Sequence, residues 1–162
     1  RKSKMAVYVG AVPGAIPPLL GQMAISGRVE LPALALAIIL FIWQLPHFLA
    51  ISLFYSRDYA NANIKIYPNV SGFKLTKIYI ILFTILLFLA SLLPAYWNVA
   101  GVAYIRSAVV LSGSFLLLAL MGLGRKPAWG FFFKDGSSWV RGYYWGSLIY
   151  LPLLFLAVIF FK

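Results

Sequence analysis

Apolar residues in this chain fall into five long runs separated by short polar or basic stretches. The runs cover about Met5 to Ser26, Pro32 to Tyr55, Leu75 to Trp97, Val102 to Leu123 and Trp139 to Phe161. A membrane-crossing helix needs about 20 mostly apolar residues, and each run is of that order. The pattern predicts an all-α, polytopic transmembrane helix bundle with five crossings. Pro13, Pro17 and Pro18 break the first of them, because proline lacks the amide donor that a continuing helix uses. No soluble domain, low-complexity linker or convincing short repeat intervenes, so residues 1–162 read as a single membrane domain.

Composition agrees with a lipid solvent. The chain is 63% hydrophobic and 10% charged, whereas soluble domains are roughly half apolar. Its net charge of +11 sets fourteen Lys and Arg against Glu30, Asp58 and Asp135. These cations do not indicate nucleic acid, because they sit in short loops between apolar runs, where they orient membrane proteins. Arg1, Lys2 and Lys4 precede the first span. Arg57, Lys65, Lys74 and Lys77 fill the second–third connection, and Arg125, Lys126, Lys134 and Arg141 the fourth–fifth. The other connections hold Arg28 with Glu30, then no charge from Asn98 to Gly101. That alternation places the N-terminus, both basic loops and Asp58 on the cytoplasmic side, with Lys162 outside. Tyr96, Trp97, Trp129 and Phe131 to Phe133 fall at predicted helix ends, as interfacial aromatic belts do. Gly10 and Gly14 have the GxxxG spacing of close helix contacts. The absence of cysteine removes disulfides, thiolate catalysis, zinc sites and thioether-bound haem. The sequence starts at Arg1 with no cleavable signal pattern and reads as part of a longer protein.

Candidate chemistry concentrates in "WQLPHFLAISLFYSRDYANANIKIYP", Trp43 to Pro68. At 100° per residue, Gln44, His47, Ile51, Tyr55 and Asp58 share an arc of about 80°. Ile42, Leu49 and Leu53 lie opposite. The second span is thus expected to be amphipathic, with its polar flank facing other helices or a wet cavity, since ionisable groups facing lipid are costly. His47 and Asp58 are about 16 Å apart along an unbroken helix, which sets a deep imidazole and a carboxylate at the cytoplasmic mouth of one pocket. Asp58, Asn61 and Asn63 offer hard oxygen ligands, with Arg57, Lys65, Lys74 and Lys77 around them. Magnesium favours oxygen ligands and commonly bridges a protein carboxylate to substrate phosphates, so the cluster suggests a diphosphate site. The bland alternatives are a buried hydrogen-bonding His47 beside Pro46, and Asp58 paired with Arg57 or Lys65. Asp135-Gly136 suits a turn, and Ser137 or Ser138 suits a cap for the last helix. Glu30 falls on the opposite side of the membrane from Asp58.

The stretch from Trp43 to Gly72 closely resembles the haem o synthase (protoheme IX farnesyltransferase) family. The matching positions are Trp43, Pro46, His47, Asp58, Tyr59, Ala62, Asn63, Ile64, Pro68 and Gly72, where the family has Ala-Asn-Ile or Ala-Gly-Ile at the third block. "GAIPPLLGQMAISG" and "RGYYWGSLIYLPLLF" look like that family's Gly-Ala-x-Pro-Pro segment and last helix. The resemblance implies a UbiA-type intramembrane prenyltransferase of nine crossings, of which these are the last five. It implies transfer of a farnesyl group from farnesyl diphosphate to a vinyl group of haem b, giving haem o for terminal oxidase assembly or for haem A synthase. It also implies Mg²⁺ as cofactor and a bacterial plasma membrane location facing the cytoplasm, or the mitochondrial inner membrane in a eukaryote.

On that basis Asp58 and His47 are the catalytic candidates, with Asp58 and Asn61 at the magnesium–diphosphate. Arg57, Lys65 and Lys74 are candidate diphosphate partners, with Gln44, Tyr55, Tyr59 and Asn63 in the substrate site and His47 contacting haem. Two departures stand out. Lys65 occupies a place where the family usually has Pro. The family's first Asn/Asp-rich metal motif has no counterpart in residues 1–162 and is expected in a missing N-terminal half, without which the chain is expected to be inactive. Rival expectations are a UbiA-type enzyme acting on a quinone precursor, or a non-catalytic transporter or assembly subunit.

Overall fold

The computed structural model describes residues 6–124 and 136–161. Among them, five stretches are long and apolar enough to cross a membrane: Val7–Ser26, Leu31–Phe54, Phe73–Tyr96, Val102–Leu123 and Ser138–Phe160. The expected spans are recovered within a few residues, and the protein is an integral membrane protein. The first crossing is two helices, α1 (Ala6–Gly14) and α2 (Pro17–Ser26). Pro13 stays inside α1, and the break falls at Ala15 and Ile16, after which Pro17 opens α2. Proline at the first helical position loses no hydrogen bond, because that amide has no intrahelical partner anyway.

The second crossing is α3 (Leu31–Phe54), and it ends earlier than the sequence suggests. Tyr55 leaves helical geometry at φ −96° and ψ 20°, and a separate short α4 (Ser56–Asn61) follows. Asp58 therefore does not ride on the helix that carries His47, and the single 80° arc ends at Ile51. The cytoplasmic connection continues through α5 (Tyr67–Ser71) to Gly72, whose φ of 85° suits glycine, and then into α6 (Phe73–Ala90). The third crossing finishes with α7 (Leu93–Tyr96); α8 (Val102–Leu120), a 3₁₀ turn at Met121–Leu123 and α9 (Gly136–Phe160) complete the fold. Ser137 and Ser138 lie within the first turn of α9 rather than ahead of it. Asp135, Trp129, Phe131 to Phe133 and the cations of 125–134 lie outside the described residues.

The four later crossings close a ring: α3 packs on α6, α6 on α8, α8 on α9, and α9 back on α3. The α1–α2 crossing lies against α3 from outside. Consequently both flanks of α3 are covered. Gln44 and His47 are buried against other helices, as expected of the polar flank, and Ile42, Leu49 and Leu53 opposite are buried too, a two-sided burial that the pattern did not predict. Its cause is position: α3 touches neighbours all round, so apolarity on one flank says nothing about which side faces lipid. Gln44 and His47 also look at different partners. The Gln44 amide abuts Gly14 of α1, so closely that a Cβ there would collide with it. Of the GxxxG pair, Gly14 makes the close approach and Gly10 faces open space.

Polar groups between the crossings satisfy one another, as a membrane interior demands. Thr84 Oγ1 donates to the Ile80 carbonyl at 2.6 Å, so the 2.7 Å contact from α9 is Tyr143 donating to Thr84. Ser91 donates to Phe88 O, Ser112 to Ser91 Oγ, and Tyr150 to Ser112, a directed chain from α9 through α8 to α6. Among the described residues, no buried side-chain nitrogen or oxygen lacks a partner.

Candidate functional site

His47 is anchored to α9. Its Nδ1 lies 2.7 Å from Ser147 Oγ, and the neighbouring Trp43 donates Nε1–H to the Ser147 carbonyl at 2.9 Å. The imidazole stacks with Trp43 (4.6 Å, 18°) and with Tyr144 (5.3 Å, 23°). Pro46 removes one amide donor inside α3, and the helix runs on through it. Of the two alternatives for His47, a buried hydrogen-bonded histidine beside a proline is what the contacts display.

One turn beyond His47, a cavity of about 300 Å³ opens between α3 and α9. Ile51, Phe54, Tyr55, Arg141, Tyr144 and Trp145 line it. The Arg141 guanidinium lies 5.6 Å from the Phe54 ring centroid, a cation–π contact, and it makes no ion pair among the described residues. Tyr55, expected in the substrate site, lines this cavity, and packs edge-on against Phe54.

The charged loop lies at the end of α3 and is exposed. Arg57, Asp58, Asn61, Asn63, Lys65 and Lys74 are all exposed, and Tyr59 is half-buried. Among the described residues the one ion pair is Arg28–Glu30, so Asp58 pairs with neither Arg57 nor Lys65. Asp58 and Asn61 are three residues apart on α4, hence on one face of its turn. Lys77 is diverted: its ammonium donates to the Gly122 carbonyl at 3.0 Å and sits 5.3 Å from the Trp139 ring. Glu30 accepts from Gln22 and Arg28 near the start of α3.

Asn63 has a backbone reason for its identity. Ile64 N–H bonds to Tyr59 O at 2.9 Å, and Asn63 N–H to Ala60 O at 3.0 Å. That pair of bonds is a Schellman motif closing α4, with Asn63 in the left-handed position at φ 52°. Glycine and asparagine adopt that conformation most readily, which accounts for the Asn-or-Gly alternation of the resembling family at this place. Asn98, at φ 56°, does the same after α7. The loop is then pinned to the bundle by aromatics. Tyr67 of α5 bonds Tyr8 of α1 hydroxyl to hydroxyl at 2.7 Å and packs edge-on against Tyr79 of α6. Burial, with the Tyr8 contact second, pushes the Tyr67 phenol above its ordinary range. Asn69 ties α5 to the Ser56 carbonyl at 3.2 Å.

Sequence reasoning missed Ser147, Tyr144, Arg141 and Tyr67. Arg141 was counted only as a topological charge. The available signal was the helical spacing of Arg141, Tyr144 and Trp145 in an otherwise apolar span.

Residues 1–134 match the UbiA prenyltransferase family. The chain is 40% identical over 158 residues to a protein of Anaeromyxobacter dehalogenans named protoheme IX farnesyltransferase, covering 98% of this chain and 50% of that one. Proteins of the same name from Sorangium cellulosum and Myxococcus xanthus are 38% and 39% identical, over 98% and 97% of this chain and 54% and 51% of theirs. The chain thus spans about half the length of the curated relatives it matches. No solved structure matches it significantly.

Proposed function

Since the chain belongs to the UbiA prenyltransferase family, we propose that it serves transfer of the farnesyl group of farnesyl diphosphate to a vinyl group of haem b, giving haem o. The relatives that carry the name protoheme IX farnesyltransferase support the choice of acceptor over a quinone precursor. In the step, the C1–O bond of the donor breaks and diphosphate leaves with the electron pair. A carbon–carbon bond forms to the vinyl terminus, and water adds at the other vinyl carbon with loss of a proton.

The observation that carries the proposal is the unpaired charge at the end of α3. Asp58 is exposed between Arg57 and Lys65 and pairs with neither, so its carboxylate is available to a metal. Asp58 with Asn61 fits part of a magnesium site: one carboxylate and one amide on one helical face, with coordination left for water and phosphate oxygens. Magnesium bound there would neutralise charge on the departing diphosphate. Arg57, Lys65 and Lys74 offer cations to the same group, and His47 faces haem. No group of three His, Cys, Asp or Glu that could hold a metal occurs among the described residues. We therefore propose that Asn/Asp ligands from outside residues 1–162 complete the site, in a fold of nine crossings. The alternation of basic loops supports placing the diphosphate end on the cytoplasmic side of the plasma membrane.

The test is the full-length protein in lipid nanodiscs with farnesyl diphosphate, haem b and magnesium, followed by pigment extraction and mass identification. Haem o forms, and Asp58→Asn lowers the rate by about 10²–10³, the loss typical of removing a group that stabilises developing charge. Full activity of Asp58→Asn, transfer by the isolated 162-residue chain, or prenylation of a quinone precursor in place of haem b would each count against the proposal.

A further inference from the structure

Asp58 and Asn61 lie on an exposed stretch of chain between α3 and α6. Exposed connections open readily, because little buried surface opposes their motion. A metal site needs the reverse, since its ligands must be held by the residues packed behind them. From Arg57 to Gly72 the buried residues are Tyr67 and Pro68, so the place of Asp58 depends on what anchors those two.

Two contacts fix the stretch. Asn69 Nδ2–H donates to the Ser56 carbonyl at 3.2 Å and closes it at its base, across 13 positions of sequence. Tyr67, 5% exposed, pegs it into the bundle. The Tyr67 ring meets Tyr79 of α6 edge-on (5.5 Å, 71°) and Tyr8 of α1 edge-on (6.2 Å, 77°). Tyr8 in turn meets Phe83 of α6 (6.1 Å, 67°). The Tyr8 and Tyr67 hydroxyls lie 2.7 Å apart. A phenol carried into an apolar bundle needs such a partner: the ring supplies the anchoring, and the hydroxyl pair selects the neighbour it faces. Tyr8 belongs to the least buried of the five crossings. The break at Ala15 and Ile16 separates α1 from α2, so α1 follows its own contacts, with α3 and with Tyr67.

Resting on the farnesyl-transfer proposal above, we infer that Tyr8 and Tyr67 are positioning residues for the donor site. Their hydroxyl pair holds the loop that carries Asp58 and Asn61 in register with α1, the crossing nearest in sequence to the Asn/Asp ligands expected in the N-terminal half. Both act through the loop and not on the substrate.

The test uses the full-length protein in lipid nanodiscs. Tyr8→Phe, Tyr67→Phe and the double variant keep every ring and remove hydroxyls alone. Hydrogen exchange is read at the Val70 and Gly72 amides, bonded to Ile66 O and Pro68 O. Each single variant lowers their protection about 3- to 18-fold, the range from the average to the largest polar contact between membrane helices. The double variant falls no further than either single, since one shared bond is lost, and amides within α8 keep wild-type protection. Tyr67→Ala, which also removes the ring, weakens magnesium-dependent binding of farnesyl diphosphate at least tenfold, because apparent affinity follows the population of the docked loop. Its binding of haem b is unchanged. A wild type that binds no farnesyl diphosphate with magnesium sinks the donor assignment and the positioning role together. With wild-type binding intact, loop protection indifferent to both Phe variants, or additive losses in the double variant, overturns the positioning role alone. So does an equal loss of protection across α8, or a Tyr67→Ala protein that binds magnesium and farnesyl diphosphate like the wild type.

Discussion

Asn63 separates two explanations of one side chain, a magnesium-site oxygen and a turn former. Its backbone stands at φ 52°, in the Schellman closure of α4. An ordinary L-residue there costs about 1–2 kcal/mol relative to the right-handed region. Asn63→Ala therefore shifts the ordered loop toward open forms by about 5- to 30-fold. Asn63→Gly keeps the turn, since glycine enters that region freely. Hydrogen exchange on the full-length protein reads this directly through the Ile64 amide, bonded to Tyr59 O at 2.9 Å. Protection of that amide falls by the stated factor in Asn63→Ala and stays near wild type in Asn63→Gly. Farnesyl transfer follows the same order, Gly above Ala. Equal loss of transfer in both variants, with protection intact in Asn63→Gly, would show that the amide oxygen is what matters and refute the backbone explanation.

Gly14→Ala turns the Gln44 amide away from α1 and lowers stability by no more than about 1 kcal/mol, because only the flexible end of that side chain must move, whereas Gly10→Ala is silent; thermal unfolding in detergent compares them. Lys65→Pro does not lower the melting temperature, because Lys65 lies in the non-helical stretch before α5 and its amide makes no backbone hydrogen bond. A clear drop would reveal a bond at that amide. Tyr143→Phe costs about 0.6 kcal/mol, the average for a polar contact between membrane helices, since Thr84 keeps its bond to Ile80 O; a loss of several kcal/mol would mean that the Thr84–Tyr143 contact anchors the ring.

The five crossings were legible because length and apolarity decide them, and lipid demands little else. The neighbours of each flank were not. Helix and lipid are equally apolar partners, so Ile42, Leu49 and Leu53 gave no hint that α3 is surrounded. The break at Tyr55 was invisible, since no glycine or proline marks it. Asp58 was found through its rarity, and its freedom from Arg57 and Lys65 had to be seen. Lys77 and Lys74 are indistinguishable as letters, but only Lys77 reaches the carbonyl of Gly122. Ser147 could not be paired with His47 from sequence, because 100 residues separate them.

That separation also orders events on the ribosome. Trp43 and His47 wait 104 and 100 residues for their α9 partners, about 5–20 s at a synthesis rate of about 5–20 residues per second. Until the final crossing inserts, the ring of helices is open and the imidazole lacks its Ser147 partner. A nascent chain stalled before α9 would carry the charged loop and the histidine in full, and would still lack the Ser147 contacts that hold Trp43 and His47 in place.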